Sequence, residues 1–519
     1  MIKTLAGLLL LAGFAAAQTP VILISIDTLR ADHLSAYGYS ALSTPNIDSF
    51  AQHGTLFTNV NAQIPLTLPS HTSLFTSTYP FQNGIEENGE VVPAAAVTLA
   101  SILKSRGYQT AAFIGSSLLG KSAGLDRGFT DYDSPFGSVA AANEGPYSAR
   151  VRRDGVLVIR SATQWLGDRK GQPVFVFIHL FDLHAPYRIH PSPGSALPET
   201  VGYDEEIRYV DRILGRFKQS LEQTGWWQRS IVVLLADHGE SLGEHGESSH
   251  GYFAYESTLH VPLILHWPES APSYPARSAK PAGLIDVAPT ILDALHVPAP
   301  PTFEGASLMR FDEAPEHPVY SEAVYARDQF HWAALRALRI GRWKFIQSPR
   351  AELFDLEKDP RESLNLLRGN AAEATTLRAE LAKLTARYAP PEKLPVADSS
   401  KATRNALQSL GYLAGTDRAN STGEGPDPKD RLPEYQLFEK ALDAFYAHHF
   451  DAAITGLRKV LARDPRNLPA RGTLGEVYLS VGHPEAAVRE WKAALAIDPA
   501  FAPAAEALAE YRKRPSGAR

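Results

Sequence analysis

Short runs of β-branched and aromatic residues recur along this chain and limit it to a small set of folds. They are VILISID (21–27), TAAFI (110–114), VFVFIHL (174–180), IVVLLADHG (231–239) and VPLILHW (261–267). Each is almost continuously apolar, the pattern of a strand covered on both faces rather than one alternating between core and solvent. Helical patterns separate them, among them YDEEIRYVDRILGRFKQSLEQTG at 203–225. Strands alternating with helices predict an α/β fold with a large parallel or mixed central sheet covered on both sides, whose site lies at the carboxyl ends of the strands. Polar residues collect at those ends: Asp27, Asp182 with His184, and Asp237 with His238.

Between 318 and 366 the texture changes to short alternating segments, VYSEAVYA, RIGRWKFIQ and AELFDLEKDPRE, which predict a small antiparallel sheet appended to the main unit. Residues 389–433 concentrate Pro, Ser, Gly and Asp and read as a linker, with one short helix near Asn405 to Tyr412. Beyond it the sequence repeats itself: 451–470 superposes on 485–504, placing Ala453 on Ala487, Leu457 on Trp491, Leu461 on Leu495 and Pro465 on Pro499. A period of about 34 residues with small residues at the helix crossings resembles the tetratricopeptide repeat, and implies a protein partner for that segment. Two repeats and a trailing helix (Ala502 to Lys513) are few for a free-standing solenoid, so the unit is expected to lean on a partner or on the main domain.

The N-terminus, MIKTLAGLLLLAGFAAAQTP, has one Lys, an apolar run and a small-residue cleavage site. It reads as a signal peptide over 1–17, implying a secreted or periplasmic protein. The run is short for a membrane span, and no other stretch approaches the ~20 apolar residues one needs. The expected division is therefore a signal peptide (1–17), an α/β domain (18–388), the linker (389–433) and the repeats (434–515).

The 51 Lys and Arg against 57 Asp and Glu give a net charge of −6, which argues against a general grip on nucleic acid. The chain has no cysteine, so disulfides, thiolate metal sites and cysteine nucleophiles are excluded. An Asp at a buried strand end is costly unless it is paired or bound to a cation, and two strands here end in Asp27 and Asp237, with His238 adjacent. Two carboxylates, an imidazole and a hydroxyl suit Zn²⁺ or Mn²⁺ better than Mg²⁺ or Ca²⁺ because of the nitrogen ligand.

The phrases IDTLRADHLSAYGY, TPNIDSFAQHG, TLPSHTSLFTSTYP, ADHGESLGEHG, LIDVAPTILDAL with FEGASL, and ELFDLEKDP follow one another across roughly residues 20–366. In this order they resemble the sulfatase family of the alkaline phosphatase superfamily. The resemblance implies that Asp27, Asp237 and His238 hold a metal, that Thr67 stands at the nucleophile position, and that the substrate is an anionic ester. It also makes His184 the histidine that contacts the ester oxyanion or protonates the leaving group, and puts His250 where sulfatases place a substrate-binding Lys. One metal is expected and a second is not: in two-metal relatives the histidine lies four residues after the Asp, and four after Asp182 stands Pro186. Glu244 and His245 read as a solvated loop.

The chain departs from the sulfatase pattern where the chemistry is done. Thr67 replaces the Cys or Ser that is oxidised to formylglycine, and His71 replaces an Arg beside it. Thr28 stands where a second Asp is usual, and Ser116 and Leu118 replace a Lys and a His. Oxidation of threonine would give a ketone, so the aldehyde cannot form. An unmodified Thr67 activated by a cation could instead attack phosphorus, giving a phosphothreonine that water or an acceptor alcohol discharges. That chemistry favours phosphoesters, whereas the overall likeness favours sulfate esters; an inactive scaffold presenting the repeats is the remaining alternative.

Overall fold

The computed structural model describes residues 18–136, 151–185, 187, 199–309, 317–388 and 425–513. The expected signal peptide and the expected linker helix near 405–412 lie outside these residues. Nine strands form the main sheet: β1 (Val21–Ile26), β2 (Gly54–Asn61), β3 (Gln109–Phe113), β4 (Asp131–Asp133), β5 (Val174–Leu180), β6 (Ile231–Leu235), β7 (His260–His266), β8 (Arg277–Ser278) and β9 (Ala282–Gly283). Their order is β4-β3-β5-β1-β6-β7-β2-β8, with β9 also pairing β2. Neighbours from β4 to β6 are parallel, and β7 runs antiparallel to both β6 and β2. The sheet is thus mixed, one of the two arrangements the strand–helix alternation allows. Every residue of β1, β5 and β6 is buried, because helices cover both faces.

Register sets the level of the strand ends. Ser25 pairs with His179 of β5 on one side and Leu235 of β6 on the other, so Asp27 and Asp237 leave the sheet side by side. The strand β2 points the same way as β6 and delivers the chain to the helix Thr67–Thr76 at the same edge. Close approach matters at Gly115, just past β3: a Cβ there would come within 2.7 Å of the His179 carbonyl oxygen. No larger residue fits between β3 and β5 at this point.

The smaller sheet contains β10 (Val319–Ala323), β11 (Leu335–Ile340), β12 (Trp343–Gln347) and β13 (Glu352–Asp355), each antiparallel to the next. The helix Ala371–Thr385 covers it by burying Ala374, Leu377 and Leu381 against Leu338, Phe345 and Leu353. Five helices follow at Leu432–Tyr446, Phe450–Arg463, Leu468–Ser480, Pro484–Ile497 and Ala502–Lys513, with Ala453, Leu457, Ala487 and Trp491 buried between them.

Residues 425–431, expected within the linker, are instead bound to the small sheet. The Pro426 carbonyl accepts from Ala333 N–H at 2.9 Å. Asp427 accepts from the Ser348 hydroxyl at 2.8 Å and the Arg350 amide at 2.9 Å, and Lys429 lies 3.2 Å from Glu352. Pro, Gly and Asp read as linker from composition, but here Asp427 and Lys429 find partners in the sheet. No helix among the described residues is long and apolar enough to cross a membrane.

At the end of β7, the His266 ring stacks on Trp227 with centroids 3.8 Å apart and donates from Nε2 to the Trp227 carbonyl at 3.0 Å. Burial pushes this imidazole down to about 4, against the hydrogen bond to Trp227. The fold therefore holds the neutral ring, and the stability it contributes is complete above the ordinary histidine pKa of about 6.5 and is lost as pH falls towards 4. His266→Gln keeps a donor but cannot titrate. Thermal melts should show the variant's deficit at pH 7 shrinking by about 1–3 kcal/mol at pH 4; a deficit independent of pH would contradict this.

Candidate active site

The helix Thr67–Thr76 begins at the sheet edge with all its residues buried, and its amino end places partial positive charge at Thr67. Two bonds fix that end. Leu68 N–H donates to Asn88 Oδ1 at 2.8 Å, and the Ser70 hydroxyl donates to the Asp237 carbonyl at 2.6 Å, tying the helix to the end of β6. The Thr67 hydroxyl lies close enough to the Asp27 carboxylate to stabilise its charge. Neither Thr67 Oγ1 nor Asp27 Oδ1 makes a hydrogen bond of ordinary geometry.

Asp237 accepts with one oxygen only. Its Oδ1 takes the His238 amide at 2.9 Å and the Thr28 amide at 3.3 Å, while Oδ2 has no hydrogen-bond partner among the described residues. Thr28 reaches that carboxylate from the left-handed region (φ 58°), an uncommon conformation for a β-branched residue. The Tyr203 hydroxyl holds the turn through the Thr28 carbonyl at 2.6 Å. His238 donates from Nδ1 to the Gly239 carbonyl at 2.9 Å, which fixes the tautomer and leaves Nε2 as a lone pair with no partner.

Ligand atoms of Asp27, Asp237 and His238 all lie within 4.8 Å of one another. Burial pushes the Asp27 carboxyl up to about 6, opposed by His238, and burial together with the Asp27 charge raises Asp237. The neighbouring rings of His71 and His179 are pushed down to about 4 by burial and carry no compensating charge at neutral pH. Two buried carboxylates and an imidazole lone pair, with the Thr67 alcohol beside them, each keep an atom unsatisfied among the described residues, and together they could hold a divalent cation.

The remaining sequence candidates fall into two groups. His184 and His250 come together beside His238: ring centroids are 5.2 Å apart between His184 and His250, and 4.5 Å between His238 and His250. Glu240 holds His250 by its Nδ1 at 2.9 Å. His71 is beside Thr67 but turned into the sheet, with Nδ1 donating to the Thr67 carbonyl at 2.7 Å and Nε2 at 2.9 Å from the Ser25 hydroxyl. Asp182 faces the start of the helix Gly155–Gly167, accepting from Gly155 N–H at 3.0 Å. Glu244 is no purely solvated residue, since it pairs with the buried Arg30 at 2.8 Å, and His245 stacks on Tyr255.

Four residues at the site escape sequence reading. His179 places Nε2 3.2 Å from Asp27 Oδ2; a lone histidine inside the run VFVFIHL was its only signal. Glu240 had none beyond its nearness to His238. Asn88 and Arg152 come from irregular segments. The Arg152 guanidinium lies over the Phe181 ring and donates to the carbonyls of His184 and Ala185, bringing a cation to the side where Ser116 and Leu118 supply none.

Comparison with known proteins agrees with this arrangement. The sulfatase family model matches residues 19–297, the C-terminal model of N-sulphoglucosamine sulphohydrolase matches 243–387, and a tetratricopeptide repeat model matches 444–511. The ulvan-active sulfatase of Formosa agariphila is 23% identical over 444 residues, covering 77% of this chain and 85% of that protein. The choline-sulfatase of Rhizobium meliloti is 25% identical over 439 residues, covering 68% and 84%. Among solved structures, the phosphonate monoester hydrolase of Agrobacterium radiobacter superposes with a TM-score of 0.58 at 22% identity, covering 71% of this chain and 96% of that one. The sheet order, the strand-end carboxylates and the sulfatase match over more than half of the residues lead to one assignment: this chain belongs to the sulfatase family, as a sulfatase-like ester hydrolase with C-terminal tetratricopeptide repeats.

Proposed function

We propose that the protein is a metal-dependent phosphoester hydrolase in which unmodified Thr67 is the nucleophile. The observation that carries this reading is the Thr67 hydroxyl, buried at a helix amino end against Asp27 with no hydrogen bond of ordinary geometry among the described residues. A divalent cation held by Asp27, Asp237, His238 and Thr67, with Zn²⁺ or Mn²⁺ the better match, would polarise the ester and lower the pKa of the alcohol. One cation suffices, because Asp182 is turned to a helix start and both His71 nitrogens are engaged.

Thr67 Oγ attacks phosphorus in line with the leaving alcohol: its proton passes to a neutral ring of the His184–His250 pair, the O–P bond forms as the ester bond breaks, and the departing oxygen takes that same proton. His184 and His250, which burial holds below the ordinary histidine pKa, are neutral rings able to hydrogen-bond the ester oxygens. Arg152 adds positive charge on the same side. His71 acts on Thr67 through its carbonyl and holds the nucleophile's backbone. Water then attacks phosphorus, and Thr67 leaves with its proton restored. A sulfated threonine has no comparable exit, whereas a phosphothreonine exchanges through the same in-line geometry by which it formed. The solved neighbours include phosphonate monoester hydrolases as well as sulfatases, which supports admitting phosphorus at this fold. The apolar run before residue 18 supports a secreted or periplasmic setting.

Assays of the metal-loaded protein with paired chromogenic phosphate diesters, phosphate monoesters and sulfate monoesters should rank a phosphoester first. Thr67→Ala should lose turnover by roughly three orders of magnitude or more while metal is still bound through Asp27, Asp237 and His238, and Thr67→Ser should retain part of the activity. A faster sulfate ester, or turnover that survives Thr67→Ala, overturns the mechanism. Independently of activity, chelation should lower the melting temperature of the wild type, because a ligand bound only by the folded state stabilises it. Asp237→Asn should bind less metal in elemental analysis and show a smaller response to chelator.

A further inference from the structure

The segment that carries His250 is held from outside the catalytic domain. From Ser241 to Phe253 the chain forms a loop closed on itself: Ser241 N–H donates to the Ser249 carbonyl at 2.8 Å, and Glu247 accepts from the amides of Tyr252 at 2.9 Å and Phe253 at 3.3 Å. The helix Leu432–Tyr446 lies on the outer face of this loop. Its Gln436 donates to the Gly246 carbonyl at 3.0 Å, and its Glu439 accepts from the Ser248 hydroxyl at 2.7 Å. A Cβ on Gly246, whose φ is +81°, would meet Leu432 at 2.5 Å. Tyr435 packs against Tyr252 with ring centroids 3.8 Å apart and the rings tilted by 41°, and Phe438 packs edge-on to Phe330. Tyr435 and Phe438 are 1% and 2% exposed, so this contact is as dry as a core.

Two features show that the contact does not follow from chain connectivity alone. The helix is separated in sequence by almost two hundred residues from the loop it covers, as Ser248 and Glu439 mark. It also lies mostly outside both family matches, which end at 387 and resume at 444. The helix Leu468–Ser480 follows it onto the catalytic domain, against Tyr325–Phe330.

Resting on the reading that His250 contacts the anionic ester, we propose that the first repeat helix is a working wall of the active site. Tyr435 and Glu439 are positioning residues that hold the 241–253 loop and, through it, His250 beside His184 and His238. The helical face turned to the catalytic domain is consumed by this contact, so the ester is processed only while the repeats stay docked. Local packing of this kind has large kinetic leverage, since a displacement of about 1 Å in a positioning element can cost up to ~100-fold in rate.

The test uses the full-length, metal-loaded protein with Tyr435→Ala and Glu439→Ala, the conservative Tyr435→Phe and Glu439→Gln, and His250→Ala alone and combined with Tyr435→Ala. Turnover of a chromogenic phosphodiester, affinity for inorganic phosphate, metal content and hydrogen exchange over 241–253 are measured for each. Tyr435→Ala should accelerate exchange in the loop and lower kcat/KM by roughly 10- to 100-fold at unchanged metal content. Tyr435→Phe and Glu439→Gln should recover most of the loss. Phosphate affinity should fall in Tyr435→Ala, and the double variant should be no worse than His250→Ala, because both act through one group. Losses that add, or kinetics and phosphate affinity that stay unchanged while the loop exchanges faster, overturn the proposal. Absence of turnover in the wild type would count against the proposed chemistry instead, and the phosphate and exchange measurements would still decide whether the helix positions His250.

Discussion

Two carboxylates that cannot escape each other organise this molecule. β1 and β6 are adjacent and in register, so the residues two past Ser25 and Leu235 are Asp27 and Asp237, side by side in a fully buried edge. Burial raises both pKa values, opposed by His238, and the rings of His71 and His179, themselves driven neutral, do not cancel the charge. Much of the local structure answers that problem. Thr28 takes a strained backbone so that its amide can meet Asp237, Ser70 pins the nucleophile's helix to the Asp237 carbonyl, and His238 gives its Nδ1 proton to Gly239 so that its other nitrogen faces inward. Such an edge suits a cation, and the dependence of the superfamily on metals has the same physical origin.

The strand pattern was readable because it is local and strongly apolar: the five runs named from sequence correspond to β1, β3, β5, β6 and β7. The antiparallel placement of β7 between β6 and β2 was not readable, since an apolar run carries no direction. At the site, Asp27, Thr67, Asp237 and His238 were legible because each ends a strand or begins a helix in a phrase shared with sulfatases. His179, Glu240, Asn88 and Arg152 were not. Their roles arise from register and from irregular segments, where Oδ1 of Asn88 or the guanidinium of Arg152 reaches the site by a path no spacing rule encodes.

The repeats show the same limit in another form. Their period is visible because small residues must recur where helices cross, as where Gly456 meets Ala441. What they pack against is a surface property of the assembled fold. Nothing in the repeat pattern marks Tyr435 or Phe438, and only the structure shows that their neighbours are Tyr252 and Phe330 of the catalytic domain. A module whose match suggests protein interaction thus spends one of its faces within its own chain, leaving the opposite, outer helices for any second protein.

The strap formed by residues 425–431 carries a consequence for how this enzyme can be shortened. Because Pro426, Asp427 and Lys429 are bonded to the small sheet, the repeats are moored at their root as well as along their first helix. Cutting the chain before the strap would not yield a leaner catalyst. It would bare Tyr252, Tyr325, Phe330 and Trp332 as one aromatic patch, a surface prone to self-association.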